Sequence, residues 1–154
     1  MKNNQVNYLT DDNKKKWSSL TNKKILILNT QWNKEFINSM TKKAIELLIF
    51  VGIEYEIKTV PGAYELPYAS KKFAKQYDGI ITIGCVIKGE TLHFEAIALT
   101  ASLNISKVSI ETETPIAFGV ITVNNIEQAK KRTENNQTNK GFEASAALLD
   151  LMTI

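Results

Sequence analysis

The amino-acid sequence predicts an α/β domain in which helices cover both faces of a parallel sheet, and three observations support that fold class. Four short apolar segments alternate along the chain with segments whose apolar residues recur at helical spacing. Apolar residues run almost continuously through most of these short segments, as is typical of parallel strands buried on both faces. A chain of 154 residues is also long enough for one domain with a single core.

The amino-terminal third of the chain predicts an arm, a strand and a helix. Residues 1–22 are polar and lack a periodic pattern, so we expect an amino-terminal arm outside the core, followed by a single domain over residues 23–154. The apolar run Lys24–Leu28 predicts the first strand. Asn33 is a candidate cap for the helix that follows, and Gly52 is well placed to end that helix.

The middle of the chain predicts further strands of the same sheet. Tyr55–Val60 predicts the second strand, which the Pro61-Gly62 pair ends. Leu66–Gln76 predicts a short helix that carries a proline in its first turn, where proline is tolerated. The apolar runs Gly79–Val86 and Pro115–Thr122 predict the third and fourth strands.

The segment between the third and fourth strands allows two interpretations. Its apolar residues recur at helical spacing, but Val108–Ile110 has the composition of an extended segment. We expect a helix over Thr91–Glu111, because the crossover between two parallel strands requires one. After the fourth strand, Asn125–Gln128 resembles a capping box that opens another helix. Residues 133–138 then predict a loop, and residues 141–152 predict the last helix.

Composition and charge exclude several classes of function. A net charge of +3 is too small to indicate a nucleic-acid-binding protein. The single cysteine, Cys85, is predicted to be a small buried residue at a strand end, and it excludes an internal disulfide. One cysteine and one histidine are too few for a zinc site, so we expect no metal. The sequence shows neither the apolar core of a signal peptide nor a run long enough to span a membrane, so we expect a cytoplasmic protein.

Functional residues are expected in the turns that follow the strands, because open parallel sheets bind ligands at the carboxyl ends of their strands. After the first strand, Trp32 can stack on a heteroaromatic ring beside the amide of Asn33, although Trp32 could equally pack against its own helix. After the second strand, Ala63, Tyr64 and Glu65 offer backbone N–H groups and a carboxylate at a helix start. Glu65 could instead serve only to complement the helix dipole.

The turn after the third strand carries a further set of reactive groups. Lys88-Gly89-Glu90-Thr91 offers a cation, backbone N–H groups and a hydroxyl at a helix start, which together describe a small phosphate site. His93, the only histidine, follows within the predicted helix, and imidazole is well suited to proton transfer near neutral pH. The spacing is not that of a nucleotide-binding P-loop, and no glycine-rich dinucleotide motif follows the first strand.

Several segments, taken in order, resemble a single protein family. The most specific are the proline-glycine turn and the Gly-Glu-Thr-x-His-Phe segment in combination. The matching segments are Val60–Pro67, Gly84–Phe94, Phe118–Val120, Ile126–Ala129 with Arg132, and Asn139–Gly141. On these segments the chain resembles the lumazine synthases of riboflavin biosynthesis, from about residue 23 to residue 154.

The resemblance implies a fold, an activity and an assembly. The fold is a flavodoxin-like three-layer α/β/α sandwich with a four-stranded parallel sheet. The activity is that of a transferase that condenses 5-amino-6-ribitylamino-uracil with 3,4-dihydroxy-2-butanone 4-phosphate, without a cofactor, to give 6,7-dimethyl-8-ribityllumazine, phosphate and water. The assembly is a homopentamer, in some members a 60-subunit shell, and riboflavin synthase is a candidate partner.

The resemblance also implies a role for each site residue. His93 is the general acid/base. The positions that bind the pyrimidine and its ribityl chain are Trp32, Asn33, Ala63, Tyr64, Glu65, Cys85, Val86, Ile87 and Phe118. The phosphate is bound by Lys88, Gly89, Glu90, Thr91 and Arg132. Lys140 and Glu143 lie nearby, and Glu143 would orient His93 if it lies within reach. Phe118 and Arg132 are contributed by the adjacent subunit.

The chain departs from the commoner pattern of that family at several positions. Lys88 stands where arginine is frequent and keeps the charge without the planar fork, and Leu92 removes a hydroxyl beside His93. Residues 133–138 lack the glycines and the lysine that are usual in this loop. The resemblance therefore does not decide whether this chain forms a 60-subunit shell. Two alternatives remain, a lumazine- or riboflavin-binding protein without turnover and a flavodoxin-like electron carrier.

Overall fold

The structure is a computed structural model that describes residues 6–154. Its strands are β1 (Lys24–Thr30), β2 (Glu54–Val60), β3 (Gly79–Ile87) and β4 (Ile116–Val123). Its α-helices are α1 (Asp11–Lys16), α2 (Lys34–Val51), α3 (Leu66–Phe73), α4 (His93–Thr112), α5 (Ile126–Arg132) and α6 (Lys140–Met152). Short 3₁₀ turns at Ser18–Leu20, Ala63–Glu65 and Ala74–Gln76 complete the list.

The four strands form one parallel sheet in the order β2-β1-β3-β4, which confirms the predicted fold class. The central strands β1 and β3 are buried along almost their whole length, whereas most residues of the edge strand β2 are at least partly exposed. On one face, β1 packs with α2 and α6 through Ile25 and Ile27. On the other face it packs with α3 and α4 through Leu26 and Leu28. The sandwich therefore has three layers.

The helix α4 confirms the helical interpretation of the segment between β3 and β4. It spans His93–Thr112 and includes Val108–Ile110, whose composition alone would suit a strand. Val108 is buried in the core that α4 shares with α3. The crossover between β3 and β4 therefore decides the conformation here, and local propensity does not.

Asn33 occupies the first capping position of α2, but its side chain does not cap the helix. Its φ of 58° lies in the left-handed region, which asparagine tolerates better than most residues. Its Nδ2 donates to the backbone carbonyl of Cys85 at 2.9 Å, so the side chain bridges two strand ends. At the other end of α2, Gly52 is the left-handed cap that the sequence predicts, with a φ of 88°.

The amino-terminal segment is packed against the domain, and the prediction that residues 1–22 lie outside the core is wrong for its second half. Trp17 is only 1% exposed, and both Trp17 and Leu20 belong to the core beneath α2 and α6. The indole Nε1 of Trp17 donates to Oδ1 of Asp150 on α6 at 2.9 Å. Two isolated apolar residues in a polar stretch give no periodic signal, which is why the pattern missed them. Residues 1–5 lie outside the described residues.

Candidate active site

A cleft of about 610 Å³ opens at the carboxyl ends of β1 and β3, on the face that carries α3 and α4. It lies where open parallel sheets bind their ligands. The turns after β1 and β2 contribute to its walls, and His93 contributes after β3, whereas Lys88–Thr91 do not line it. The cleft is lined by Thr30, Trp32, Asn33, Gly62, Ala63, Tyr64, Glu65, Cys85, Val86, Ile87, His93 and Ile97.

Trp32 forms one wall of the cleft. Its side chain is 72% exposed, so within the chain its indole is not buried against α2, and its ring is available for stacking. Gly62 on the neighbouring turn lies against the ring, since a Cβ there would be in van der Waals contact with Cδ1 of the indole at 3.4 Å. The wall therefore combines the aromatic ring of Trp32 with the backbone at Gly62, which carries no side chain.

Glu65 organises the turn after β2. Its Oε2 accepts a hydrogen bond from the backbone N–H of Gly62 at 2.9 Å, which closes the 3₁₀ turn Ala63–Glu65 ahead of α3. The carboxylate therefore has a structural role within the turn, but that role is a hydrogen bond and not the complement to the helix dipole that was the alternative to ligand binding. It also lines the cleft, so the two roles are compatible.

Cys85 closes the floor of the cleft at the end of β3. It is a free cysteine, and burial raises its pKa to about 11. The thiol is consequently protonated at neutral pH and is not a nucleophile there. This agrees with the expectation of a small buried residue at a strand end, and the bond from Asn33 to its carbonyl fixes the backbone beside it.

His93 is the first residue of α4 and lies at the opening of the cleft. Its side chain is exposed and makes no hydrogen bond to any residue between 6 and 154. Its backbone N–H contacts Oγ1 of Thr91 at 3.4 Å. An imidazole that points into a solvent-filled cleft can exchange protons with a bound ligand.

Lys88, the cation of the predicted phosphate turn, is anchored beside His93. Its backbone N–H donates to the carbonyl of Val123 at 2.8 Å, and its Nζ lies 3.3 Å from Oε1 of Glu95. The pKa of Glu95 is lowered by a hydrogen bond from its own backbone N–H and by Lys88. A phosphate bound at this turn would therefore share Lys88 with Glu95, a partner that the sequence pattern did not reveal.

The remaining predicted site residues lie elsewhere on the same chain. Phe118 pairs with Thr82, five residues before the Ile87–Val123 pair at the end of the sheet, which places it about 16 Å down the strand. Phe118 lines a separate hollow of about 240 Å³ together with the ion pair of Lys140 and Glu143. Within one chain Glu143 therefore does not orient His93.

Arg132, the last residue of α5, contributes to neither hollow. Its Nη1 contacts the carbonyl of Gln128 at 3.4 Å. One chain therefore brings His93 together with the predicted residues of the first two turns and of the end of β3. It leaves Lys88–Thr91 outside the cleft lining and keeps Phe118, Arg132, Lys140 and Glu143 apart from it.

The cleft includes three residues that the sequence analysis did not select. Thr30, Gly62 and Ile97 all contribute to its lining. Ile97 lies one helical turn after His93, so helical periodicity could have identified it. Thr30 lies on the same face of β1 as Leu26 and Leu28, so strand alternation could have identified it.

The described residues offer neither a metal-binding cluster nor a membrane-spanning helix. Residues 6–154 contain no group of three or more His, Cys, Asp or Glu side chains placed to hold a metal ion. The helices in that same part of the chain are all too short or too polar to cross a membrane.

Comparison with known proteins gives a consistent result. The family model described as 6,7-dimethyl-8-ribityllumazine synthase matches residues 22–154. A 6,7-dimethyl-8-ribityllumazine synthase of Leuconostoc mesenteroides is 40% identical over 139 residues, which covers 87% of this chain and 89% of that protein. The 6,7-dimethyl-8-ribityllumazine synthase 1 of Caulobacter vibrioides is 42% identical over 131 residues, which covers 82% and 86%.

Proposed function

Because the chain belongs to the 6,7-dimethyl-8-ribityllumazine synthase family, we propose that the cleft beside His93 is its active site and that a neighbouring subunit completes it. The enzyme is a transferase of riboflavin biosynthesis. It condenses 5-amino-6-ribitylamino-uracil with 3,4-dihydroxy-2-butanone 4-phosphate to give 6,7-dimethyl-8-ribityllumazine, phosphate and water. The observation that carries the proposal is the convergence of an aromatic wall, a polar turn and a lone imidazole on one cleft.

The arrangement suits the two substrates, one in the cleft and the other at the turn that follows Ile87 at its edge. Trp32 stacks on the uracil ring, and the turn Ala63–Glu65 binds the ribityl chain through backbone N–H groups and a carboxylate. The turn Lys88–Thr91 binds the phosphate of the butanone at the start of α4. His93 lines the cleft and follows this turn as the first residue of α4. Holding two reactants in contact supplies much of the rate acceleration in such a condensation.

His93 carries protons through the reaction. The substrate amine attacks the butanone carbonyl, water leaves to form an imine, phosphate is eliminated, and ring closure expels a second water. Each of these steps moves a proton to or from oxygen, nitrogen or carbon, and an exposed imidazole at the cleft can accept and return it.

A neighbouring subunit supplies the missing groups. Large apolar side chains are exposed on α4 at Leu99, Leu103 and Ile110, and Tyr68 is exposed on α3. Phe118 is exposed on β4, the strand at one edge of the sheet. An interface that joins two different surfaces closes only as a ring, and we propose a homopentamer in which Phe118 and Arg132 reach the neighbour's cleft.

Two finer assignments accompany the pentamer. The loop over residues 133–138, which in the family affects formation of the 60-subunit shell, is hydrogen-bonded to the amino-terminal segment of the same chain. The backbone N–H of Tyr8 donates to Oε1 of Gln137 at 2.6 Å. We propose the pentamer as the functional unit, with riboflavin synthase as a candidate partner. We place the enzyme in the cytoplasm, a reducing compartment that suits its free thiol at Cys85.

The test is turnover with both substrates, followed through formation of the lumazine. We expect His93→Ala to fold normally, because the side chain is exposed, and to lose about 10²–10⁴-fold in kcat. A thermal unfolding midpoint equal to that of wild type provides the control for folding. Turnover of His93→Ala at the wild-type rate would contradict the acid/base role, and lumazine binding without any wild-type turnover would favour the binding-protein alternative.

A further inference from the structure

The side chain of Thr30 points into the cleft. Successive residues of a strand face opposite sides of the sheet, and along β1 Leu26 and Leu28 pack into the core beneath α3 and α4. Asn29 faces the other side, where its Nδ2 donates to Oγ1 of Thr41 on α2 at 3.2 Å. Thr30 therefore continues the row of Leu26 and Leu28 and forms part of the cleft lining.

The hydroxyl of Thr30 has no partner among residues 6–154, although its side chain is only 4% exposed. The other buried threonines of that part of the chain are all hydrogen-bonded, namely Thr41, Thr82, Thr114 and Thr133. A buried hydroxyl without a partner is costly, so an unpaired one at a cleft is available for a ligand.

The Thr30 hydroxyl is also not sealed inside the core. In the described part of the chain, Ser70 Oγ is the one side-chain polar atom that is both shut off from solvent and without a partner. Thr30 Oγ1 is not shut off in this way. Thr30 borders both the cleft and a smaller hollow beside Asn29, and the alternation of side chains along β1 directs its side chain toward the cleft. A ligand in the cleft can therefore contact it.

The position of Thr30 along the sheet indicates which of the two substrates it contacts. Thr30 pairs with Val60, just before the Gly62–Glu65 turn, and the neighbouring Asn29 is level with Ile83 on β3. That register places Thr30 level with Gly84, four residues and about 13 Å before Lys88. Thr30 is therefore close to the ring and ribityl end of the cleft and remote from the phosphate turn.

We propose that Thr30 is a further substrate-binding residue, whose hydroxyl hydrogen-bonds the polar edge of 5-amino-6-ribitylamino-uracil at the floor of the cleft. The inference rests on the proposed role of this cleft as the active site. A threonine hydroxyl both donates and accepts, so it can pair with a ring carbonyl, a ring N–H or a ribityl hydroxyl.

The test compares Thr30→Val, which keeps the shape and removes the hydroxyl, with Thr30→Ser, which keeps the hydroxyl. We expect Thr30→Val to raise the KM for the uracil substrate about tenfold, because one hydrogen bond is lost and its partner is left unpaired. The KM for the butanone phosphate stays within about twofold of wild type, since the phosphate turn lies about 13 Å away. Thr30→Ser restores the uracil KM.

A matched control is Thr59→Val. Thr59 is level with Asn29 on the adjacent strand, and its hydroxyl donates to Oδ1 of Asn29 at 2.7 Å on the side of the sheet away from the cleft. It is expected to leave both KM values unchanged. Thermal unfolding midpoints of all three variants identify any loss of folding.

Titration with 6,7-dimethyl-8-ribityllumazine separates this inference from the proposed function. The affinity for the lumazine falls about tenfold in Thr30→Val whether or not turnover is measured. An unchanged affinity and an unchanged uracil KM would overturn the inference, as would equal losses in Thr30→Val and Thr30→Ser. Absence of turnover in wild type would overturn the proposed function. The lumazine affinities of wild type and Thr30→Val would still test the role of Thr30 in binding.

Discussion

Asn33 combines two properties that few residue types supply together. Its backbone is left-handed at the start of α2, and its amide donates to the carbonyl of Cys85 across the cleft floor. The first property suits glycine or asparagine, whereas the second requires a side-chain donor. The residue therefore fixes both the direction of the Trp32 turn and its distance from β3.

Substitutions at Asn33 separate the two properties. Asn33→Gly keeps the left-handed backbone and loses the hydrogen bond, whereas Asn33→Ala loses the bond and adds backbone strain. We expect Asn33→Ala to unfold more easily than Asn33→Gly by about 1 kcal/mol, measured by urea unfolding. Equal stabilities would show that the strain is relieved by a shift of the turn.

Ser70 is expected to be replaceable with a gain in stability. It lies on α3, is fully buried, and its Oγ has no partner among residues 6–154. Ser70→Ala removes the unpaired hydroxyl and inserts a better helix former, so we expect the free energy of unfolding to rise by about 1 kcal/mol. Urea unfolding of the purified variant measures this change.

Ser145→Ala is the matched control for Ser70→Ala. Ser145 is equally buried on α6, but its Oγ donates to the carbonyl of Ala44 at 3.3 Å. Ser145→Ala leaves that carbonyl with one hydrogen bond fewer. We therefore expect Ser145→Ala to lower the free energy of unfolding, whereas Ser70→Ala raises it. If Ser70→Ala also lowered the free energy of unfolding, the Ser70 hydroxyl would have a hydrogen-bond partner in water.

At the scale of elements, the strands and helices were predictable because their apolar residues form long, regular patterns. Continuous apolar runs identified β1, β3 and β4, and the crossover rule identified α4 where propensity was divided. The amino-terminal segment was not predictable in the same way. Its contribution to the core rests on Trp17 and Leu20, and two isolated residues carry no period.

The sequence predicted which turns form the site, but it did not predict the hydrogen bonds and ion pairs that their side chains make. Strand order alone placed Trp32 and His93 at one edge of the sheet, as found. The hydrogen bond of Asn33 and the ion pair of Lys88 with Glu95 depend on side-chain directions in three dimensions, which spacing does not determine. Sequence analysis therefore identifies which turns matter better than it identifies what each side chain contacts.

Trp17 is predicted to anchor the amino-terminal segment. Its indole is buried, and its Nε1 donates to Asp150, which also pairs with Lys16 at 2.7 Å. We expect Trp17→Ala to lower the free energy of unfolding by about 3–5 kcal/mol, because the cavity is large. Trp17→Phe keeps most of the packing and is expected to lose less. Wild-type stability for Trp17→Ala would show that the segment is not part of the folded domain.

At the scale of the whole molecule, a single chain presents two incomplete surfaces. One is the cleft with His93, and the other is the hollow with Phe118, Lys140 and Glu143. Exposed apolar side chains on α4 are unfavourable in water, and the ring of subunits that we propose would bury them and bring the two surfaces together. Catalysis and assembly are therefore expected to depend on each other.

Subunit complementation tests the shared site most directly. His93→Ala and Arg132→Ala chains are purified separately, unfolded and refolded together in equal amounts, and the formation of mixed oligomers is verified by mass. Each variant alone is expected to be nearly inactive. In mixed rings about one quarter of the sites combine an intact His93 with an intact Arg132 from the neighbour, so we expect about a quarter of wild-type activity to return. Mixed oligomers that remain as inactive as the separate variants would contradict the account, because each chain would then have to build its own complete site.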